Sequence, residues 1–137
     1  MKEVLEKYKG KVRLAVKFAP YPYRDNAKMA AVAALAAKEQ GAFAAMHEKL
    51  LDNYYQLDAK TIKKLAGELK LDIARFEGDL KNEKLIKKVE DDTALARKME
   101  IWQTPTFIVN GELMVGERPI EHFIKVIDKE LGIKDRK

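Results

Sequence analysis

The sequence predicts an α/β chain in which a run of helices separates a first strand from a β-hairpin and a closing helix. Three observations predict it. Residues 11–19 alternate, with Val12, Leu14, Val16 and Phe18 set against Lys11, Arg13, Ala15 and Lys17, the period of a strand with one apolar face. Between about residues 26 and 99, apolar residues recur at helical spacing in successive segments. Asn110-Gly111 then sits between two β-rich runs, the strongest short hairpin signal, because both central residues of a type I′ turn need positive φ.

Each element has a local reason. Residues 1–9 read as the end of a helix, with Val4, Leu5 and Tyr8 on one face and Gly10 as the stop. The alternating strand of residues 11–19 follows and is broken by Pro20-Tyr21-Pro22-Tyr23. Asp25 or Asn26 caps a helix to about Gln40, stopped by Gly41, whose many alanines let neighbouring backbones approach closely. Ala42 to Asn53 forms a second helix with Phe43, Met46, Leu50 and Leu51 inward. Asp58 caps a third (Ile62, Leu65, Ala66, Leu69) and Asp72 a short fourth (Ile73, Phe76, Leu80). A fifth runs from about Glu83 to Met99 with Leu85, Ile86, Val89, Leu95 and Ala96. Thr106 to Val109 and Leu113 to Val115 form the hairpin. Pro119 opens a last helix that buries Ile120, Phe123, Ile124, Ile127 and Leu131. The Lys134–Lys137 tail is expected to fray. Helix should dominate, with three strands in a single domain, 1–137: a helical insertion over about 26–99, then hairpin and helix over about 105–131.

The chain has 137 residues, 27 Lys+Arg, 22 Asp+Glu and no cysteine. That length suits one domain and is enough to bury a core without staples. The lack of cysteine excludes a disulfide framework, a thiolate metal site and a cysteine nucleophile within these residues. The longest apolar run, Met29 to Ala37, is far short of the roughly 20 residues of a membrane span. The net charge is +5, but lysines interleave with acids, as where Lys87 and Lys88 meet Glu90, Asp91 and Asp92. No arginine stripe or aromatic ladder appears, so no nucleic-acid partner is expected. His47 beside Glu48 and His122 beside Glu121 lack metal-ligand spacing, so no metal and no cofactor are expected. Asp91-Asp92 reads as a solvated pair. Tyr21, Tyr23, Tyr54 and Tyr55 read as covering a core with their hydroxyls in water. No Ser/His/Asp constellation exists, since the chain has no serine.

One local feature stands out: Trp102-Gln103-Thr104-Pro105-Thr106 directly precedes the hairpin. Proline is normally kept out of central strands, so it suggests a turn at the strand's entrance. Trp102 is equally a packed aromatic there or the wall of a groove.

Taken in order, several runs resemble the DsbA-like branch of the thioredoxin fold. They are the 11–19 strand, Pro20-Tyr21-Pro22, Asp25-Asn26-Ala27 and its Ala-rich helix, then Glu39-Gln40-Gly41-Ala42-Phe43 and Met46-His47-Glu48-Lys49-Leu50. Leu71-Asp72-Ile73-Ala74-Arg75-Phe76 and, most specifically, Thr104 through Gly111 with Gly116 complete the set. The resemblance covers Met1 to about Leu131. It implies a thioredoxin-like α/β fold with a helical insertion, used for thiol–disulfide exchange on extracytoplasmic, for example periplasmic, proteins. It implies that Pro105 is a cis-proline, that Thr104 pairs through its backbone with a bound peptide, and that Trp102 and Gln103 flank that groove.

The departure from the family is as informative. Its chemistry lives in a Cys-x-x-Cys at the start of the first core helix, where the helix N-terminus lowers the thiol pKa. Residues 1–8 resemble the last turns of that helix. The motif and the central strand before it are therefore expected upstream of Met1. The layout would put that strand between residues 12–18 and 106–109, leaving two inner edges unpaired. A longer native chain, pairing by a second copy, or a rearranged sheet would each resolve this. Three functions follow: most of a DsbA-like oxidoreductase whose cysteines lie elsewhere, a non-catalytic peptide- or protein-binding module that is a homo-oligomer, or a serine-dependent glutathione enzyme. The absence of serine counts against the third.

Overall fold

The computed structural model describes residues 1–24 and 26–133. Its elements are α1 (Lys2–Lys7), α2 (Ala27–Lys38), α3 (Phe43–Asp52), a 3-10 turn (Tyr54–Gln56), α4 (Ala59–Glu68), α5 (Ile73–Asp79), α6 (Glu83–Lys98), β1 (Thr106–Val109), β2 (Glu112–Val115) and α7 (Ile120–Glu130). They fall into two compact units, Met1–Val16 with Arg97–Lys137, and Lys17–Ala96.

The Lys17–Ala96 unit is helical and built around α2. Every residue of α2 from Ala30 to Ala37 is buried. A helix apolar all round must be enclosed, and α2 is: α3, α4 and α5 pack against it, and Val89 of α6 joins Ala31, Val32 and Leu35. Ala33, Ala34, Ala36 and Ala37 share the main core with Met46, Leu50, Ile62, Leu65, Ala66 and Phe76. The ends of these helices are chemically specified. Gly41 has φ 74°, and the amides of Gly41 and Ala42 return to the carbonyls of Lys38 and Ala37, both at 2.9 Å. This is a Schellman ending, which favours glycine at its left-handed position. Asp58 Oδ1 accepts from the Thr61 amide at 2.7 Å and Asp72 Oδ1 from the Arg75 amide at 2.9 Å, so both expected caps form. The Gln40 amide group bonds both backbone groups of Asp72, at 2.8 and 3.2 Å, tying the end of α2 to the start of α5.

The other unit holds the sheet. β1 and β2 pair antiparallel, with Thr106 opposite Val115, Phe107 opposite Met114, Ile108 opposite Leu113 and Val109 opposite Glu112. Asn110 and Gly111 turn the chain at φ 47° and 97°. Phe107 and Met114 face a core made with Val4 and Tyr8 of the α1 segment and Phe123, Val126 and Ile127 of α7. Phe107 and Phe123 meet edge to face at 4.8 Å. The Tyr8 hydroxyl donates to Asp128 Oδ1 at 2.7 Å, joining the first helix to the last.

The described residues carry two strands where three were expected. Residues 12–20 lie in no ladder. Alternation marks an apolar face, but a strand exists only where a neighbour accepts and donates along its backbone, and the sheet contains only β1 and β2. Other expectations are corrected. Leu51, Leu95 and Leu131 are exposed. Leu50 and Leu51 lie about 100° apart round a helix, so seating Leu50 beside Met46 turns Leu51 to water. Leu95 is similarly off the Val89 stripe, and Leu131 falls past the end of α7, whose buried set includes Val126 instead. Tyr23, Tyr54 and Tyr55 stand out in solvent instead of covering a core. Of the two cap candidates for α2, Asp25 lies outside the described residues, and Asn26 holds the cap position without a side-chain bond. The Lys134–Lys137 tail also lies outside them.

Candidate functional site

The loop between α6 and β1 carries all four residues singled out from the sequence. It is held at its far end by two bonds. The Thr106 hydroxyl donates to the Gln103 carbonyl at 2.6 Å, and the Gly116 amide donates to the Pro105 carbonyl at 2.8 Å, extending the hairpin ladder past β1. The Thr104–Pro105 peptide bond is cis. Trp102, Gln103, Thr104 and Pro105 are all exposed, Trp102 to 67%.

Trp102 and Gln103 line an open depression of about 260 Å³ with Glu100, Ile101, Thr106, Leu113 and Val115. Thr104 and Pro105 lie on the same loop but outside that lining. The hairpin explains the apolar floor. Phe107 and Met114 use one face for the core, so Thr106, Ile108, Leu113 and Val115 share the opposite face. Ile108 and Leu113 are 46% and 52% exposed as a cross-strand pair. An antiparallel hairpin normally presents polar side chains on its wet face; this one is apolar on both, and an exposed apolar patch is the informative departure.

The backbone adds directionality. With a two-residue turn, Val109–Glu112 and Phe107–Met114 are the hydrogen-bonded pairs, so the amides and carbonyls of Thr106 and Ile108 point to the other edge of β1. Among the described residues no strand pairs with that edge. The site thus combines an open edge, an apolar face and an aromatic ring. That suits an extended segment held by main-chain bonds and apolar contacts. No cysteine lies among its lining residues.

The titratable groups with shifted pKa lie elsewhere. In the helical unit, His47 stacks on Phe43 at 5.6 Å, and burial lowers its pKa. Among the described residues no group of three or more His, Asp or Glu is placed to hold a metal ion, and no helix is long and apolar enough to cross a membrane. Asp92, expected in solvent, is 3% exposed. It accepts from Lys17 Nζ at 2.9 Å, Lys88 Nζ at 2.5 Å and the Phe18 amide at 3.3 Å. Burial pushes its pKa up, but the bonds from Lys88, Lys17 and the Phe18 amide outweigh that and hold it below the ordinary carboxylate value. A signal was present: Asp92 is three residues beyond Val89, on the inward stripe of Leu85, Val89 and Ala96.

The sequence profile of the thioredoxin family matches residues 1–129. The chain belongs to the thioredoxin family. Its fold is also that of solved DsbA-like proteins. The thiol-disulfide exchange protein alpha-DsbA2 from Wolbachia pipientis superposes with a TM-score of 0.83 at 20% identity, covering 94% of this chain and 72% of that one. A thioredoxin-like oxidoreductase from Silicibacter pomeroyi superposes at 0.82 and 24% identity, covering 96% and 75%. In sequence, 101 residues are 39% identical to part of the Na(+)/H(+) antiporter NhaA 3 of Salinispora tropica. That match takes in 74% of this thioredoxin-family chain and 15% of the antiporter.

Proposed function

We propose that this chain is the substrate-binding portion of a DsbA-like thiol–disulfide oxidoreductase acting on proteins, and that the Trp102–Pro105 loop with the open edge of β1 receives an extended segment of the substrate. The exposed apolar face around Trp102, beside a strand edge that no strand among the described residues pairs with, carries this reading. Thiol exchange needs a thiolate that attacks a disulfide sulfur, forms a mixed disulfide and expels a second thiolate. These 137 residues hold no cysteine, so in this reading the attacking thiol comes from cysteines outside them. Thr104 and Pro105 shape the loop, and Trp102 and Gln103 wall the groove.

Two measurements test it. The first titrates the chain with a cysteine-free, extended apolar peptide in a calorimeter. Trp102→Ala is expected to weaken binding about tenfold or more, as loss of a central aromatic anchor does. Equal binding by wild type and variant refutes the groove. The second is the intact mass of the native protein with a thiol count after reduction. A mass above 15.7 kDa with two thiols supports the oxidoreductase.

A mass matching the chain, with no thiol, supports a second reading favoured by the antiporter likeness. In that reading the chain is a redox-inactive binding module that works beside a membrane transport protein or assembles as a homo-oligomer through the β1 edge. Sedimentation then separates these, a monomer at all concentrations excluding self-pairing.

A further inference from the structure

The chain enters the helical unit at Lys17 and leaves it at Ala96. The entering segment, Lys17 to Tyr23, has no strand ladder to hold it, and Pro20 and Pro22 have no amide hydrogen to donate. It is fastened instead by α6. Asp92 Oδ2 accepts from the Phe18 amide at 3.3 Å, and Oδ1 gathers Lys17 at 2.9 Å and Lys88 at 2.5 Å. The neighbouring Thr93 hydroxyl donates to Val89 at 2.7 Å and stands 3.5 Å from the Phe18 carbonyl oxygen. Both backbone groups of Phe18 therefore face consecutive side chains of one helical turn.

The carboxylate is the enclosed partner. The Asp92 side chain is 4% exposed, whereas Lys17 and Lys88 are 56% and 48% exposed. Removing either lysine leaves an ammonium's place to water; removing the carboxylate strands a backbone amide. Phe18, like Leu80 and Leu85, also packs against both helical cores, and its ring meets Phe43 edge to face at 6.3 Å. Fixing its backbone fixes where that ring enters.

We propose that Asp92 is a positioning residue that latches a strap, Lys17 to Tyr23, onto α6, and that this strap opens as a local unit while α2 to α5 stay folded. Stability is distributed in such units, and a segment outside every ladder, carrying two prolines and with its Phe18 backbone fastened through side chains, belongs to the low end. The strap carries the stacked Tyr21 and Tyr23 rings, 5.2 Å apart, so opening displaces an aromatic pair.

Native-state hydrogen exchange on the full chain, read by NMR, tests this. In wild type the Phe18 amide should exchange well below the unprotected rate but faster than amides of Ala33 and Ala34. In Asp92→Ala the amides of Lys17, Phe18 and Ala19 should exchange about tenfold or more faster, as loss of a bond to a charged acceptor implies. Amides of Ile62 to Ala66 should stay within about twofold. Asp91→Ala, which removes an exposed pair with Lys87, should leave the strap unchanged. Unaltered exchange at Phe18 in Asp92→Ala overturns the latch. So does an equal acceleration throughout the unit. Should Asp92→Ala fail to fold, the wild-type profile still decides: Phe18 exchanging at the unprotected rate, or together with α2, overturns it.

Discussion

Tyr8→Phe isolates one bond with little else disturbed. The Tyr8 ring is 3% exposed in the core of the sheet-bearing unit, and the substitution keeps that ring. What disappears is the hydroxyl, which donates to Asp128 Oδ1 at 2.7 Å and lies 3.3 Å from the Ile124 carbonyl. A hydrogen bond to a charged group contributes about 1.5–3 kcal/mol. Asp128 is half-exposed, so water regains part of its carboxylate, and the low end, about 1.5 kcal/mol, is expected. At roughly 3–5 °C per kcal/mol for a chain of this size, the melting point should fall about 5–7 °C. Urea unfolding at pH 7, followed by circular dichroism and by the single tryptophan, Trp102, measures it. A double-mutant cycle with Asp128→Asn should return a coupling of about 1 kcal/mol. The pH dependence gives an independent check. Burial and the neighbouring Asp128 raise the Tyr8 pKa to about 12 from 10.0. The raised value means the folded state keeps the proton that the unfolded state releases. The stabilisation is therefore complete below pH 10 and lost as pH climbs toward about 12. Tyr8→Phe should lack that alkaline loss. A cost below about 0.5 kcal/mol with no coupling to Asp128 refutes the reasoning.

Other outcomes follow from single features. Phe76 is fully buried among the helices, so Phe76→Ala should cost about 3–5 kcal/mol in urea, whereas Leu51→Ala should stay within about 0.5 kcal/mol. Lys70 ends α4 at φ 57°, the left-handed position glycine prefers, so Lys70→Gly should raise stability by about 1 kcal/mol; a destabilised variant contradicts that. The Thr61 amide holds the Asp58 pKa below the ordinary carboxylate value. This depressed value makes the cap's contribution present above the ordinary carboxylate range and lost as pH falls through the folded-state value, which acid titration by NMR should show.

Much of the fold was legible because its signals are local. Asp58 and Asp72 announce two helix starts, Gly41 a stop, and Asn110-Gly111 the hairpin, each through chemistry confined to a few residues. The 11–19 segment misled because alternation describes one chain and a strand requires two. Asp92 was misread for a related reason. Its charge argued for water, while its position three residues beyond Val89 argued for the interior, and only the arrival of Lys17, Lys88 and the Phe18 amide decides between them. The loop from Trp102 to Pro105 was legible as a place. That its tryptophan stands outward, beside an apolar sheet face, depends on which hairpin face takes the core, a matter settled by Phe123 and Val126 far along the chain.

The enclosure of α2 has a consequence for how this sequence can drift. Most surface helices accept change at four or five positions of every seven, giving a comb of tolerated and forbidden sites. From Ala30 to Ala37 every residue is buried, and neighbouring helices crowd in at the spacing alanine allows. A library of all single substitutions, sorted for folded protein, should therefore show an unbroken band of intolerance eight positions long, in which even leucine is rejected at the six alanines around Val32 and Leu35. Lineages carrying this helix would keep it as a near-constant alanine block while the charged faces around it diverge.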